Sequence, residues 1–202
     1  MRLSDMISEV QTKLGIEHDG KAGPETWNAI YNRIVSPQAA KAAASVPLLP
    51  VDARSEKCIA TLHPSVQPYA RALVDRAKEV GITIKIISGL RTYEEQDALY
   101  AQGRTLPGRI VTNAKGGQSN HNFGIAFDIG IFEAGQYKGE SPKYKAVGAL
   151  GVELGLEWGG NWKTIHDEPH FQLRPVWAGD LAEKQMLAAL RTRHDSGADY
   201  FA

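Results

Sequence analysis

The segment Ile125-Ala126-Phe127-Asp128-Ile129-Gly130-Ile131 constrains the fold more than any other part of the chain. Read as a strand, it turns Ile125, Phe127, Ile129 and Ile131 to one face and Ala126, Asp128 and Gly130 to the other, because side chains alternate with a period of two. The large face has to be covered by other apolar elements. The opposite face holds a carboxylate between two very small residues, which leaves room above it for something bulky. Desolvating a carboxylate there is costly unless a cation or hydrogen-bond donors compensate. A metal ion would do so.

The elements around this strand predict an α+β fold, a small antiparallel sheet with flanking helices. Val66 to Val80 has helical spacing and is closed by Gly81. Ile82 to Ile87 alternates and is β-branched, as strands are. Thr92 to Gly103 reads as a helix with Thr92 as N-cap and Glu95 completing a capping box. Tyr144 to Leu154 predicts a further helix, Pro169 to Leu173 a short strand, and Leu181 to Leu190 a C-terminal helix followed by a polar tail. No regular βαβ repetition is present, which separates this pattern from a parallel α/β fold.

Upstream, Leu3, Ile7, Val10 and Leu14 fall at helical spacing, with Gly15 as a C-cap. Asp19-Gly20-Lys21-Ala22-Gly23-Pro24 is dense turn chemistry, and Glu25 to Tyr31 can start a second helix with Pro24 in its first turn. Two short helices bury little surface alone. Leu14-Gly15, Asp19 to Thr26 and Ala29-Ile30 together resemble a peptidoglycan-binding repeat lacking its third helix. The other reading is a helical hairpin with a good turn and no ligand. Residues 36–55, with Ser36-Pro37, an Ala-rich run and Pro47-Leu48-Leu49-Pro50, read as a linker. The expected organisation is therefore a helical unit over 1–35, a linker over 36–55, a main domain over 56–178 and a C-terminal helix and tail over 179–202.

Charge and cysteine content narrow the chemistry. Lys plus Arg and Asp plus Glu each number 23, so the formal net charge is zero, which argues against a general nucleic-acid binder. The single cysteine, Cys58, excludes an intrachain disulfide and a Cys-rich zinc site. Any metal must be held mainly by His and carboxylates. No apolar run approaches the roughly 20 residues that span a bilayer. The opening Met1-Arg2-Leu3-Ser4-Asp5-Met6 has no apolar stretch of the kind secretory signals carry, so synthesis in the cytoplasm without membrane insertion is expected.

Two clusters could supply a site. In the first, Ser119-Asn120-His121-Asn122-Phe123-Gly124 leads into the strand that carries Asp128. In the second, His166-Asp167-Glu168-Pro169-His170-Phe171-Gln172-Leu173, a strand starting at His170 puts His170 and Gln172 on one face and Phe171 and Leu173 on the core face. One His from each cluster plus Asp128 makes two imidazoles and a carboxylate. That set suits zinc with a fourth position open to water, the arrangement of catalytic sites. A neighbouring carboxylate would act as general base, and two candidates adjoin, Asp167 and Glu168.

Ser119-x-His121-x-x-Gly124-x-Ala126-x-Asp128 and Asp167-x-Pro169-His170 together resemble the motifs of the LAS metallopeptidases. These comprise D-alanyl-D-alanine carboxypeptidases, dipeptidases and the L-alanyl-D-glutamate endopeptidases of phage endolysins and some bacteria. Ser88-Gly89-Leu90-Arg91 followed by Gln96 resembles the family's arginine segment. Trp158-Gly159-Gly160-Asn161-Trp162 resembles its tryptophan-glycine stretch, with Asn161 where an acidic residue is common. The Asp-x-Pro-His form leans towards the L-alanyl-D-glutamate branch.

The resemblance implies that His121, Asp128 and His170 bind Zn²⁺, that Asp167 is the general base with Glu168 a bystander, and that Arg91 polarises the scissile carbonyl. It implies that Ser119 and Gln96 contribute to substrate binding, Ser119 alternatively supporting His121 and Gln96 alternatively only fixing Arg91. Tyr93, Trp158 and Trp162 line a groove or pack. His166 either tunes Asp167 or faces solvent. The implied protein is a monomeric zinc endopeptidase that hydrolyses the stem peptide of bacterial peptidoglycan at L-Ala–D-Glu. It binds no nucleic acid and acts on the cell wall after release from the cytoplasm.

Three rivals follow from the same residues. A D,D-carboxypeptidase would use the same metal site. A wall-binding protein with a structural zinc would need four protein ligands, where three and an acid are offered. A nuclease is suggested by Asn120-His121-Asn122 and opposed by the zero net charge.

Overall fold

In the computed structural model, residues 2–14, 18–23, 26–27, 30, 50–163 and 166–202 are described. The strand that opened the sequence reading is the centre of the sheet. It is β2, Ala126–Glu133, and it pairs antiparallel with β1, Ile84–Ser88, on one side and β5, His170–Gln172, on the other. The two-residue β4, Glu157–Trp158, extends the sheet beyond β5, and β3, Gln136–Lys138, folds back on the far end of β2 as a hairpin. All these pairings are antiparallel, so the α+β expectation holds.

The large face of β2 is buried as its alternation requires. Phe127, Ile129 and Ile131 are fully buried in one cluster with Ile84, Ile86 and Phe171. Helix α3, Gln67–Glu79, supplies Ala70, Leu73 and Ala77 to that cluster, and α5, Lys143–Glu153, supplies Val147. The helix α4, Tyr93–Ala101, begins with the expected capping box: Thr92 Oγ1 accepts from Glu95 N at 3.1 Å and Glu95 Oε2 accepts from Thr92 N at 2.8 Å.

Three features depart from the sequence reading. A helix, α2, covers Ala53–Ile59 and begins inside the expected linker; Asp52 caps it, and buried Ser55 accepts from the Ile86 backbone N–H through its Oγ at 2.9 Å. Its residues are polar enough to pass for linker, but they are stitched to β1. The C-terminal helix α6 runs over Glu183–Ser196, longer than expected, and its Met186 and Leu190 are fully buried with Phe123 and Ile125. The expected division at 178/179 therefore runs through one packed cluster. The tail is less polar in its packing than in its composition, because Tyr200 and Phe201 lie against that cluster.

At the N-terminus α1 covers Leu3–Leu14. The following turn is organised by Gln11, which donates to Asp19 Oδ1, Lys21 O and Thr26 Oγ1 and accepts from Gly20 N. The expected C-cap at Gly15, most of the second helix over 25–31 and the linker residues 36–49 lie outside the described residues. No helix among the described residues is long and apolar enough to cross a membrane.

Candidate metal centre

Strand register places the first two groups. Asp128 of β2 stands directly opposite His170 of β5, with Ser88 of β1 on its other side. Cross-strand partners share a face, so the carboxylate and the imidazole meet by backbone pairing alone: His170 Nδ1 is 3.4 Å from Asp128 Oδ1. His121 arrives from a short 3₁₀ turn, Asn120–Phe123, and puts Nε2 at 3.3 Å from the same oxygen. That turn ends at Gly124, whose φ is +63°. A Cβ there would also meet His63 N at 2.9 Å, so only glycine serves.

One ligand atom from each of His121, Asp128 and His170 lies within 4.8 Å of the others. Two neutral imidazoles and a carboxylate are a donor set that fits zinc with an open position. The ring hydrogens agree. His121 Nδ1 is 2.8 Å from Gly89 O, and a carbonyl can only accept, so Nδ1 carries the proton and Nε2 faces inward. His170 Nε2 is 2.9 Å from Gln172 Oε1, which leaves Nδ1 facing inward. Burial alone would push the Asp128 carboxyl up, but His121 and His170 beside it hold it well below the usual carboxylate range. His170 is raised for the reciprocal reason: its bonding to Asp128 outweighs the burial that pulls it down.

The expected room beside Asp128 is partly filled. The Tyr137 ring lies over Gly130, where a Cβ would meet it at 2.9 Å, so that glycine makes space for an aromatic ring of the β3 hairpin.

The three residues sit in a cleft of about 760 Å³ that is also lined by Arg91, Ser119, Asn120, Trp162, Asp167, Glu183 and Leu187. The loop segment 110–114, which the sequence reading did not single out, also lines it. Asp167 lines this cleft and Glu168 does not; the Glu168 backbone carbonyl accepts from Trp158 Nε1 instead. Burial, and then the charge of Asp128, push Asp167 above the ordinary carboxylate range, while His170, His121 and Arg91 pull it back only in part. Such a carboxyl is a better proton acceptor once ionised.

Arg91 is held at several points. Its backbone N–H donates to His121 O at 3.0 Å, and its carbonyl accepts from buried Asn122 at 2.8 Å. Its guanidinium reaches Gln96 Oε1 at 2.9 Å, Ser88 Oγ at 3.3 Å and Asp128 Oδ2 at 3.9 Å. Gln96 is fully buried, bonds Arg91 with its oxygen and Ala114 O with its nitrogen, and does not line the cleft. It has no surface to offer a substrate, so the alternative, that it fixes Arg91, is the one the geometry allows. Ser119 lines the cleft. Trp162 also lines it and lies 4.9 Å from the His170 ring, whereas Trp158 and Tyr93 pack against glycines. His166 is exposed, with Nδ1 near Gly160 O.

Comparison with known proteins completes this picture. Residues 112–173 match the family described as D-alanyl-D-alanine carboxypeptidase. The chain is 41% identical over 125 residues to the peptidoglycan L-alanyl-D-glutamate endopeptidase CwlK of Bacillus subtilis, covering 56% of this chain and 74% of that protein. The chain belongs to the M15 peptidase family. A second relative of this M15 peptidase, the L-alanyl-D-glutamate peptidase of Listeria phage A118, is 32% identical over 124 residues; the match covers 59% of this chain and 40% of the phage protein. The crystal structure of the Serratia marcescens L-Ala D-Glu endopeptidase ChiX aligns at 28% identity and a TM-score of 0.48, over 64% of this chain and 93% of that one.

The sequence reading missed the second layer of this M15 peptidase's site: Asn122, Gly159, and the side chains behind His170. Gln172 carried a signal, because it shares a strand face with His170. Asn122 and Gly159 lie in stretches already singled out and have near partners in Ser119 and Asp167, but nothing in the spacing gave their roles. Asn120, Glu157 and Glu183 carried no signal, since Asn120 meets Gln172 and Glu183, and Glu157 meets Gln172, from far along the chain.

Proposed function

We propose that this chain is a zinc-dependent endopeptidase that hydrolyses peptidoglycan stem peptides between L-Ala and D-Glu. The observation that carries the proposal is the meeting of His121, Asp128 and His170 in one cleft with Asp167 and Arg91. The activity named for a relative 41% identical supports the substrate.

His121 Nε2, Asp128 Oδ1 and His170 Nδ1 would hold the zinc. Zinc bound there supplies Lewis acidity and brings the pKa of water from 15.7 to about 7. Asp167 is the group that takes the proton of the attacking water and returns it to the leaving amine, a role its position in the cleft wall and its raised pKa both suit. Arg91 offers a fixed cation to the carbonyl oxygen as negative charge develops there. Its anchors on Gln96, Ser88 and the His121 turn fix its position before substrate arrives. Ser119 is placed to contact the peptide, and Gln96 acts behind Arg91. The substrate is the wall of bacteria, reached after release from the cytoplasm, and residues 1–35 tether the enzyme there.

The second reading, a D,D-carboxypeptidase, is favoured by the description of the matching family. Mass spectrometry of digested peptidoglycan separates the two, combined with elemental analysis of the protein. The endopeptidase exposes new D-Glu amino termini and holds about one zinc per chain. Free D-Ala as the main product would assign the carboxypeptidase, and full activity without a transition metal would overturn both.

A further inference from the structure

Behind His170 the side chains close a ring that the proposed chemistry does not use. Gln172 Oε1 accepts from His170 Nε2 at 2.9 Å and from Asn120 Nδ2 at 2.6 Å, and Gln172 Nε2 donates to Glu157 Oε2 at 2.6 Å. Glu157 Oε1 accepts from Arg174 Nε, and Arg174 Nη2 donates to Glu183 Oε2 at 3.2 Å. Glu183 Oε1 accepts from Asn120 Nδ2, which closes the circuit. The sheet builds half of it: Ala126, Gln172 and Glu157 stand opposite one another on β2, β5 and β4, in the row next to Asp128 and His170.

The direction of every bond in the ring is determined. An ionised carboxylate only accepts and a guanidinium only donates. Glu157 therefore requires the nitrogen of Gln172, which turns its oxygen to His170 and Asn120. Asn120 meets two acceptors, so it presents its nitrogen to both. Its buried Oδ1 finds no partner among the described residues. Leaving a buried acceptor unpaired is costly, and reversing Asn120 would cost more by facing oxygen with oxygen. The ring also carries one Arg against two Glu, a net negative charge behind the imidazole, which favours the ring as a donor to a cation.

We propose that Gln172 is the positioning residue of the metal centre: the Glu157–Arg174–Glu183–Asn120 ring locks its amide, and its oxygen in turn locks His170 with the proton on Nε2 and the lone pair of Nδ1 towards the metal. This rests on reading the cleft as a zinc site. It also makes the two histidines opposite tautomers, His121 protonated on Nδ1 and His170 on Nε2.

The test is zinc affinity, measured by competition with a chromophoric chelator. Gln172→Leu keeps the volume and removes the acceptor, and should weaken zinc binding about 10–100-fold. Gln172→Glu sets two carboxylates against each other and should weaken it as well. The double variant Gln172→Glu with Glu157→Gln restores every donor–acceptor pair with the roles exchanged, and should recover affinity to within a few-fold of wild type. In zinc-loaded, ¹⁵N-histidine-labelled protein, long-range ¹H–¹⁵N spectra should place the His170 proton on Nε2 and the His121 proton on Nδ1.

Unchanged affinity in Gln172→Leu would overturn the proposal, and so would a folded double variant no tighter than Gln172→Glu, or both protons on the same ring position. If Gln172→Leu does not fold, the double variant and the wild-type spectra still decide. A wild-type chain that takes up no zinc would instead remove the metal reading on which this one rests.

Discussion

Gly159 has no chemistry of its own, yet the geometry makes it a sensitive point of the site. It opens the turn that leads back to Asp167, whose N–H donates to Gly159 O at 3.2 Å. A Cβ on Gly159 would lie 2.4 Å from Asp167 O, 3.1 Å from His170 Cβ and 3.2 Å from Asp167 Cβ. Bringing the carbonyl contact to an ordinary separation takes about 1 Å, and the moving group is backbone rather than a flexible side-chain end. Asp167 O itself accepts from His170 N at 3.1 Å, so the displacement reaches both the proposed base and a proposed ligand.

Overpacking of this size costs about 1–3 kcal/mol, and a 1 Å misplacement of a reacting group costs about 100-fold in rate. Gly159→Ala should therefore lower kcat/KM on a soluble stem peptide about 100-fold. It should lower the thermal midpoint by several degrees. Gly139→Ala is the control: the contacts of its Cβ start at 3.6 Å, and both quantities should stay near wild type. Wild-type turnover and midpoint in Gly159→Ala would show that the turn has slack and that its tightness does not position Asp167.

Asp167→Ala should reduce kcat about 10²–10⁴-fold with zinc content unchanged by elemental analysis, and Glu168→Ala should do far less; the reverse ranking would move the base to Glu168. The Arg71 guanidinium binds both oxygens of Glu56, at 3.0 and 2.8 Å, and this bond, outweighing burial, holds the Glu56 carboxyl below its ordinary value. A depressed folded pKa stabilises above the unfolded pKa and is lost as pH falls through the folded one, so Glu56→Gln should cost about 1–2 kcal/mol at pH 7. The difference from wild type should close in denaturation curves taken well below the ordinary Glu pKa of 4.5. Removing residues 1–35 should spare hydrolysis of a soluble stem peptide and reduce hydrolysis of whole walls; equal loss on both would mean that the segment supports the catalytic fold.

Elements written in local spacing were legible in the sequence. Alternation announced β2 and its Asp128, the Thr92–Glu95 pair announced the start of α4, and the two His motifs announced the centre. Elements that exist only through partners were not. β4 is two residues long and has no alternation to read; it is a strand because Gln172 and Phe171 pair with it. Gly130 read as room for a ligand, whereas Tyr137 from a hairpin fills it. Gln96 sat beside the arginine motif and read either as a substrate contact or as a support for Arg91; the sequence could not choose, because its burial between Arg91 and Ala114 exists only in the fold. The ring behind His170 joins residues from 120 to 183, so no window of sequence contains it.

The core and the chemistry are one decision in this sheet. The inner faces of β2 and β5 meet through Phe127 and Phe171, paired in register, with stacked rings 5.8 Å apart and both fully buried. A slip of one residue in that pairing would send every β5 side chain to the wrong face. It would expose Phe171 and bury His170 among hydrocarbon. The burial of two phenylalanines therefore opposes the one-residue slip, which would turn His170 and Gln172 away from the face that holds Asp128. Two adjacent rows of the sheet, one holding the proposed ligands and one holding their support, inherit their alignment from a contact that touches neither. The walls facing the substrate, the 110–114 loop, Trp162 and Leu187, come from outside these rows. They are not independent of the rows: Ala114 holds Gln96, which holds Arg91, and Trp162 lies against His170, so a change in these walls reaches the proposed ligands and cation.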